Sequence, residues 1–196
     1  MISCVVLSAG LSSRFGSPKA LALINGQTII EQVQAMLACS NVDEMIIVLG
    51  AEFERIKPYI LKHKKVKVVY NKDYNLGQTS SFKVGLQSID KKAKGVMLLP
   101  IDFPVIKTET INFLIDEFCS QDPKILIPQY QSRKGHPPIF DVNLKEDFLR
   151  LRNDQGLNAV QHQHEKDIVL VETIDSGVTK TFNTKQELDE IKILLI

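Results

Sequence analysis

The chain has few of the residues that would form a disulfide framework or a metal site. Its 196 residues include only three cysteines and four histidines. The cysteines (Cys4, Cys39 and Cys119) are odd in number and widely spaced, and we expect them to be buried small apolar residues of a reducing compartment. His162 and His164 are two residues apart, a spacing that points side chains in different directions on a helix. These features argue against disulfide pairing and against a local zinc motif.

Long apolar runs and an excess of one charge are also missing. No stretch approaches the ~20 apolar residues of a transmembrane helix. The first residues lack the basic segment that opens a signal peptide, so we expect a cytoplasmic protein without a membrane partner. A net charge of +1 gives no support for a nucleic-acid partner. The length suits a single domain, 1–196.

Apolar strand-like segments alternate with amphipathic helix-like segments. The expected strands cover 2–7, 45–49, 66–70, 96–99 and 125–128, and the expected helices cover 28–39, 53–62, 79–89 and 108–119. This alternation predicts a mainly parallel sheet covered on both faces, a three-layer α/β/α Rossmann-like fold. The pattern is less regular after residue 128, where we expect strands over 134–140 and 168–171 and a helix over 146–152.

The first strand leads into a loop of small residues with two cations. Residues 8–19 read Ser-Ala-Gly-Leu-Ser-Ser-Arg-Phe-Gly-Ser-Pro-Lys. Small residues let backbone N–H groups approach an anion, and Arg14 and Lys19 add a planar guanidinium and a point charge suited to phosphate oxygens. The loop therefore predicts a triphosphate site, whose nucleotide contacts are Ser8, Ala9, Gly10, Leu11, Ser12 and Lys19.

The spacing of this loop differs from that of the two common phosphate loops. A P-loop has four residues between its glycines and then Lys-Ser/Thr, whereas five residues separate Gly10 from Gly16, and Lys19 comes later. The Gly-x-Gly-x-x-Gly motif is absent as well, which argues against a dehydrogenase.

A carboxylate follows the fourth strand. Asp102 lies between two prolines in Leu-Pro-Ile-Asp-Phe-Pro, where a stiff backbone fixes the position of its side chain. Such a carboxylate suits Mg²⁺, which proteins usually hold with one or two carboxylates and substrate phosphates. A role as a turn or helix-cap residue is the alternative.

A polar segment, 71–86, follows the third strand. It begins with Asn71 and reaches Gly77 before an expected helix that carries Ser80 and Ser81. We expect Thr79 or Ser80 to cap this helix, so that its free N–H groups face a ligand. In open parallel sheets ligands bind beyond the carboxyl ends of the strands, where all three polar segments are expected.

These three segments resemble the signature motifs of the nucleotidyltransferases. The first loop resembles Leu-Ala-Ala-Gly-x-Ser-x-Arg-Met-Gly-x-x-Lys, with Ser8 and Phe15 as mild departures, and residues 101–104 resemble Gly-Asp-Met-Pro. Residues 71–86 resemble the family's Asn-x-x-x-x-x-Gly-x-x-Ser-Ser-x-x-x-Gly-Leu. The resemblance implies the nucleotidyltransferase fold and dependence on Mg²⁺. It assigns catalysis to Arg14, Lys19 and Asp102, the metal chiefly to Asp102, and further nucleotide binding to Asn71, Gly77, Ser80 and Ser81.

Downstream segments resemble the branch that transfers cytidylyl groups to molybdopterin. Residues 135–137 match its Gly-His-Pro, and 153–156 resemble its Gly-Asp-x-Gly-Ala-Arg, although Leu157 and Asn158 replace Ala-Arg. The resemblance implies an acceptor-side part, 129–196, beside a nucleotide-binding part, 1–128. It assigns acceptor binding to Gly135, His136, Pro137 and Asp154, although a histidine such as His136 is more often a packed loop residue.

Residues 181–188 resemble the family's Asp-Ile-Asp-Thr-Pro-Glu-Asp-Leu, in which an aspartate can supply a second metal contact. In this chain Asn183 takes that position, and its amide oxygen can coordinate a metal without adding charge. Asp154 and Asp175 are the carboxylates that remain to compensate. Thr184 and Glu187 keep the spacing of a capping box at the start of a helix.

The resemblance implies transfer of CMP from CTP to a phosphorylated acceptor, the molybdopterin cofactor, with release of pyrophosphate. Ala9 favours this branch, because the guanylyltransferases usually carry Leu-Ala-Gly-Gly in the first loop. The implied partners are a nucleoside triphosphate, a small phosphorylated acceptor and a molybdoenzyme or its chaperone. The alternatives are guanylyl transfer, transfer to a sugar phosphate, and a nucleotide-binding module without catalysis, for which Asn183 and the missing arginine are the support.

Overall fold

The computed structural model describes residues 1–193 as a central sheet between two layers of helices. The strands are β1 (Ile2–Ser8), β2 (Leu23–Ile24), β3 (Gln27–Thr28), β4 (Glu44–Leu49), β5 (Val66–Tyr70), β6 (Gly95–Pro100), β7 (Ile125–Tyr130), β8 (Arg133–Lys134), β9 (Ile139–Asp141) and β10 (Ile168–Glu172). The helices are α1 (Ile29–Ala38), α2 (Phe53–Ile56), α3 (Gln78–Ser88), α4 (Thr108–Gln121), α5 (Lys145–Arg150), α6 (Asn158–Gln163) and α7 (Lys185–Ile193). Within this range, no helix has the length and apolar character needed to cross a membrane.

The large sheet has the strand order β10-β7-β9-β6-β1-β4-β5, with β8 added to β7. Its pairs are parallel except at β8 and β9, which run antiparallel to their neighbours. The chain passes from β1 to β4 and β5 on one side and returns to β6 on the other side of β1. Loops after β1 and β6 therefore meet at the point where the strand order reverses, the usual ligand site of such sheets.

Two apolar clusters, one on each face of the sheet, hold the layers together. One contains side chains of α1, α2, α4 and α7, including Ile30, Leu114 and Leu188. The other contains side chains of α3, α5 and α6, including Phe82 and Phe148. Because β1, β4 and β6 are buried along their whole length, they consist mainly of apolar residues on both faces. The predicted three-layer, mainly parallel α/β fold is confirmed.

Some elements differ from the sequence-based expectations. The helix predicted over 53–62 ends at Ile56 and continues only as a 3-10 turn, Lys57–Tyr59, that contains Pro58. The single strand predicted over 134–140 is instead two short strands, β8 and β9, separated by Gly135 and two prolines, which interrupt strand pairing.

The prediction that the cysteines are buried is correct only for Cys4. Cys39 and Cys119 are exposed. Cys39 is the C-cap residue of α1, and Cys119 lies on the outer face of α4 one position after the buried Phe118. Apolar neighbours in the sequence did not reveal this, because adjacent residues on a helix point in different directions.

Candidate functional site

A cleft of about 450 Å³ opens at the carboxyl ends of β1 and β6. It is lined by residues 7–15 and 18–20, Ile56, Tyr74, Gly77, Gln78, Ser81, residues 100–102 and Asn183. The cleft thus contains the whole first half of the loop predicted to bind a triphosphate, together with Lys19 and Asp102. Three loops that are distant in the sequence meet there because the strands before them end at the same edge of the sheet.

The first loop is folded back on itself and anchored by an aromatic side chain. The N–H groups of Phe15 and Gly16 donate to Ser12 O at 2.9 and 3.0 Å, and Lys19 N donates to Ser12 Oγ at 3.2 Å. The Phe15 ring is buried and meets Phe182 edge to face, with ring centroids 5.3 Å apart. By contrast, the space around the Cα of Gly10 is open, so a ligand can come close to the backbone there.

Lys19 connects this loop to two others. Its Nζ lies 2.8 Å from Asp102 Oδ2 and donates to Phe182 O at 2.6 Å and to Asn183 Oδ1 at 3.1 Å. The Lys19 and Asp102 side chains keep 12% and 23% of their surface exposed. A cation and a carboxylate are therefore held side by side, partly desolvated, at the wall of an open cleft.

Arg14 binds the same side-chain amide oxygen, that of Asn183, as Lys19 does. Its Nη2 donates to Asn183 Oδ1 at 2.9 Å. Asn183 is held in turn by the start of α7, where Glu187 Oε2 accepts from the N–H groups of Asn183 and Thr184, and Glu187 N donates to Thr184 Oγ1 at 3.2 Å. Hydrogen bonds from the backbone of Asn183 and then of Thr184 hold the pKa of Glu187 below its usual value. The predicted capping box is present. It positions Asn183, whose amide oxygen accepts hydrogen bonds from both Arg14 and Lys19.

The residues predicted to bind nucleotide after β5 divide into two groups. Gly77 and Ser81 line the cleft, whereas Asn71 and Ser80 lie behind it. Asn71 is 1% exposed, and its Nδ2 donates to Ser80 Oγ at 2.7 Å and to Ser81 Oγ at 3.0 Å. Ser80 Oγ also donates to the carbonyl of Asp73 at 2.8 Å. Asn71 and Ser80 therefore fix the shape of this loop.

The expected cap of α3 by Thr79 or Ser80 is wrong. The helix starts one residue earlier, at Gln78, with Gly77 as the N-cap at φ 91° and no side-chain capping bond. Glycine adopts this conformation easily, so the chain can turn sharply into the helix. Thr79 Oγ1 instead donates to Gln155 O at 2.6 Å and ties the 152–156 loop to α3.

The predicted acceptor residues at 135–137 pack beside Asp102. The His136 ring stacks on Phe103 with centroids 4.3 Å apart. Burial lowers the pKa of His136 to about 4, against a smaller opposing effect of the Asp102 charge. His136 N donates to Val178 O at 2.8 Å, a Cβ at Gly135 would collide with that oxygen, and Pro137 follows a cis peptide bond. His136 is thus a neutral group stacked on Phe103, the residue that follows Asp102.

Asp154 and Asp175 do not line the cleft. These are the two carboxylates that could have replaced the charge missing at Asn183. Asp154 is exposed and pairs with Arg152 at 3.0 Å, and this pairing lowers the pKa of Asp154. Asp175 is buried and accepts hydrogen bonds from Lys107 N, Thr110 Oγ1 and Gly177 N. Asp175 therefore organises the turn before α4.

The oxygen donors at the cleft fit a cation that binds together with phosphate. Residues 1–193 contain no group of three or more His, Cys, Asp or Glu side chains arranged to hold a metal. Asp102 Oδ2 and Asn183 Oδ1 nevertheless share a partner, Lys19 Nζ, and both are hard ligands. One carboxylate and one amide suit Mg²⁺, which completes its shell with water and substrate phosphates.

Sequence reasoning missed Phe182 and Phe103. Phe182 contributes its carbonyl to Lys19, its ring lies 5.1 Å from Lys19 Nζ, and it packs against Phe15. Phe103 supports His136. An apolar side chain next to a polar candidate carries no chemical signal in a sequence, so only the three-dimensional contacts reveal these roles.

Residues 4–168 match the family model described as MobA-like NTP transferase domain. Nicotine blue oxidoreductase from Paenarthrobacter nicotinovorans is 25% identical over 203 residues, covering 95% of this chain and 94% of the relative. A probable molybdenum cofactor guanylyltransferase from Bacillus cytotoxicus is 25% identical over 198 residues, covering 97% and 96%.

A solved structure has the same fold over nearly its full length. A Mycobacterium tuberculosis protein in complex with manganese superimposes with a TM-score of 0.79 at 22% identity, covering 98% of each chain. The family model spans most of the chain, and the first loop and Asp102, which carry much of the family resemblance, line one cleft. The chain therefore belongs to the family of MobA-like NTP transferase domains.

Proposed function

We propose that this protein transfers a nucleoside monophosphate from a nucleoside triphosphate to a small phosphorylated acceptor. An oxygen of the acceptor phosphate attacks the α-phosphorus, the bond from the α-phosphorus to the bridging oxygen breaks, and pyrophosphate leaves. The observation that carries this proposal is the meeting of Arg14, Lys19 and Asp102 at one cleft. Because the acceptor phosphate is already an anion, the reaction needs positioning and charge neutralisation more than a general base.

The first loop is the proposed triphosphate site. Residues 9–12 line the cleft, so we assign their backbone N–H groups to phosphate contacts, and Arg14 and Lys19 supply two positive charges. Lys19 and Arg14 stabilise the charge that develops on pyrophosphate as it leaves. Gly77 and Ser81 support the nucleoside from the opposite wall of the cleft, and Asn71 and Ser80 keep that wall in place.

A divalent cation, Mg²⁺ in this proposal, belongs beside Asp102. Asp102 would hold it with Asn183 as a neutral second ligand, and the ion would neutralise phosphate charge during transfer. The donor set supports this assignment, since both oxygens already share a cationic partner in Lys19. The manganese complex of the Mycobacterium tuberculosis structure agrees with a divalent metal on this fold.

The acceptor belongs on the side formed by residues 129–196, and the nucleotide on the side formed by 1–128. Gly135, His136 and Pro137 lie next to Phe103, and Asp154 lies on the loop tied to α3 by Thr79. We propose molybdopterin as the acceptor and a molybdoenzyme or its chaperone as the recipient of the product.

The proposed donor is CTP. Ala9 and Tyr74 line the cleft, and a Cβ at Gly50 would lie 2.9 Å from Ala9 Cβ and 2.6 Å from Tyr74 Cβ. We infer that a methyl group at position 9 leaves less room for a base than glycine would, which favours the smaller pyrimidine. Guanylyl transfer is the second candidate, because the Bacillus cytotoxicus relative is named a probable guanylyltransferase and matches nearly the whole chain.

Thermal shift with CTP, GTP, ATP and UTP, each with and without Mg²⁺, tests the donor. A ligand that binds only the folded state stabilises it by about 2.7 kcal/mol at a hundred times its Kd, so moderate affinity is measurable. A Mg²⁺-dependent shift with CTP alone supports cytidylyl transfer, and one with GTP alone supports the second candidate. No shift with any nucleotide would overturn the proposal.

Pyrophosphate release separates transfer from binding. The assay contains the preferred nucleotide, Mg²⁺ and molybdopterin, with sugar 1-phosphates as competing acceptors. Release that requires molybdopterin supports the proposed acceptor, whereas release with a sugar phosphate assigns a different one. Nucleotide binding without release under any of these conditions would mean a binding module.

A further inference from the structure

Among residues 1–193, no strand pairs with the outer side of β5, which leaves an open edge of the sheet. This strand is the last in the strand order and pairs with β4 along one side. The helix that precedes it, α2, ends at Ile56 and leaves part of the strand's face uncovered. Val68 and Tyr70 are consequently 38% and 53% exposed. An edge strand with free backbone groups is a template for another extended chain.

Further apolar surface adjoins this strand in the sequence. Tyr59 and Leu61, in the segment that leads into β5, are 42% and 40% exposed. Phe53 packs edge to face on Tyr70, with centroids 5.1 Å apart, and supports that ring from the side of α2. Together these side chains place apolar surface beside a strand edge, an arrangement typical of protein interaction sites.

The same segment is strongly basic. Residues 55–72 hold seven of the chain's 24 Arg and Lys residues and none of its 23 carboxylates. Arg55 pairs with Glu52, and Lys67 pairs with Glu44. Lys62 and Lys64 are exposed. The net charge of the whole chain is only +1, so this region is positively charged and the rest of the chain carries a net negative charge.

We propose that this surface, the basic edge (residues 57–70), binds an extended acidic segment of a partner protein, which pairs with β5 as an added strand. Pairing with β5 of a second copy is disfavoured, because it brings two lysine-rich segments together. An acidic strand meets opposite charge at the exposed Lys62 and Lys64. Its alternate apolar side chains meet Val68 and Tyr70.

The two parts of this surface have different roles in recognition. Backbone hydrogen bonds to β5 supply sequence-independent affinity, and the exposed Val68 and Tyr70 select apolar residues at alternate positions of the partner. The lysines accelerate association with an acidic segment and make binding sensitive to salt. The proposal does not depend on the nucleotide reaction, since the basic edge lies outside the residues that line the nucleotide cleft.

The test uses the full chain and fluorescent eight-residue peptides. One peptide alternates valine with glutamate, a second has the same composition in blocks, and a third replaces glutamate with lysine. We expect saturable binding of the alternating acidic peptide, at least tenfold weaker binding of the other two, and weakening as salt is raised. Hydrogen exchange of the backbone amides of 66–70 should slow when the alternating peptide is bound.

Two charge-reversal variants complete the test. The K62E/K64E variant should weaken binding at least tenfold, whereas R133E/K134E, which reverses the same charge on the exposed β8, should leave it unchanged. Equal binding of the block peptide, unchanged exchange at 66–70, or equal effects of both variants would overturn the proposal. Preference for phosphatidylserine vesicles or single-stranded RNA over the acidic peptide would overturn it as well.

Discussion

Lys19 and Asp102 form an ion pair at the wall of the cleft, with Nζ 2.8 Å from Oδ2. The cation proposed for phosphate and the carboxylate proposed for metal thus neutralise each other in this structure. A nucleotide that arrives with its metal can satisfy both groups together. Either ligand alone would leave one of these charges without its present partner, so we expect nucleotide and metal to bind cooperatively.

Replacing Lys19 with methionine should abolish most of the transfer activity. The variant loses the charge that stabilises pyrophosphate, and we expect kcat/KM to fall about 10²–10³-fold. The free energy of unfolding should fall by about 1–3 kcal/mol, because Lys19 is only 12% exposed and its loss leaves Asp102 and the Phe182 carbonyl without this donor. Pyrophosphate release and thermal unfolding measure the two effects. Lys185→Met, at an exposed lysine at the start of α7, is the matched control. An unfolded Lys19→Met protein would mean that the residue is mainly structural.

Asn183 should act on the two cations of the first loop and on the metal in separable ways. Asn183→Ala removes the acceptor shared by Arg14 and Lys19, so we expect KM for the nucleotide to rise about tenfold. Asn183→Asp keeps the acceptor and adds a second carboxylate, so the Mg²⁺ or Mn²⁺ concentration for half-saturation should fall. Steady-state kinetics and calorimetric metal titration measure these changes. Equal metal affinity in the wild type and Asn183→Asp would contradict a metal site beside this residue.

His136 should make the protein less stable as the pH falls. Its pKa is about 4 in the folded protein and 6.5 when unperturbed. The unfolded chain therefore binds more protons between these values, so the free energy of unfolding decreases from pH 6.5 down to about 4, by up to about 3 kcal/mol. His136→Phe keeps a ring against Phe103 and should show a smaller change of Tm between pH 7 and 4. The exposed His162→Gln should behave as the wild type.

Ala9 should influence the choice of base. Ala9→Gly removes the methyl group that lies near Gly50 and Tyr74, and we expect the ratio of kcat/KM for GTP over CTP to rise about tenfold. Initial rates with both nucleotides at several concentrations measure this ratio. Ser13→Gly, a change in the same loop, is the control. An unchanged ratio would show that the base is selected elsewhere in the cleft.

The sequence predicted the central part of the fold because local patterns determine it. Mainly apolar runs of four to six residues marked β1, β4 and β6, which are buried on both faces. The loop after β1 and Asp102 after β6 were recognisable because motif spacing and strand ends lie close together in the chain. These features predicted that Lys19 and Asp102 share one site, and the two side chains are in contact in the structure.

Other features depend on contacts that a sequence does not show. The start of α3 at Gln78 depends on the backbone conformation of Gly77. The roles of Asn183 and Phe182 at Lys19 arise across separations of 164 and 163 residues. Local propensity carries no information about such pairs.

The bond from Lys19 to the carbonyl of Phe182 has a consequence for how the protein is made. Two of the groups that hold Lys19 belong to Phe182 and Asn183, which are synthesised 163 and 164 residues after it. During synthesis the sheet around β1 can assemble while Lys19 still has only Asp102 as a partner. The nucleotide site is therefore completed only after residues 182 and 183 have been synthesised, and a chain cut before residue 182 would lack two of the three groups that hold Lys19 Nζ.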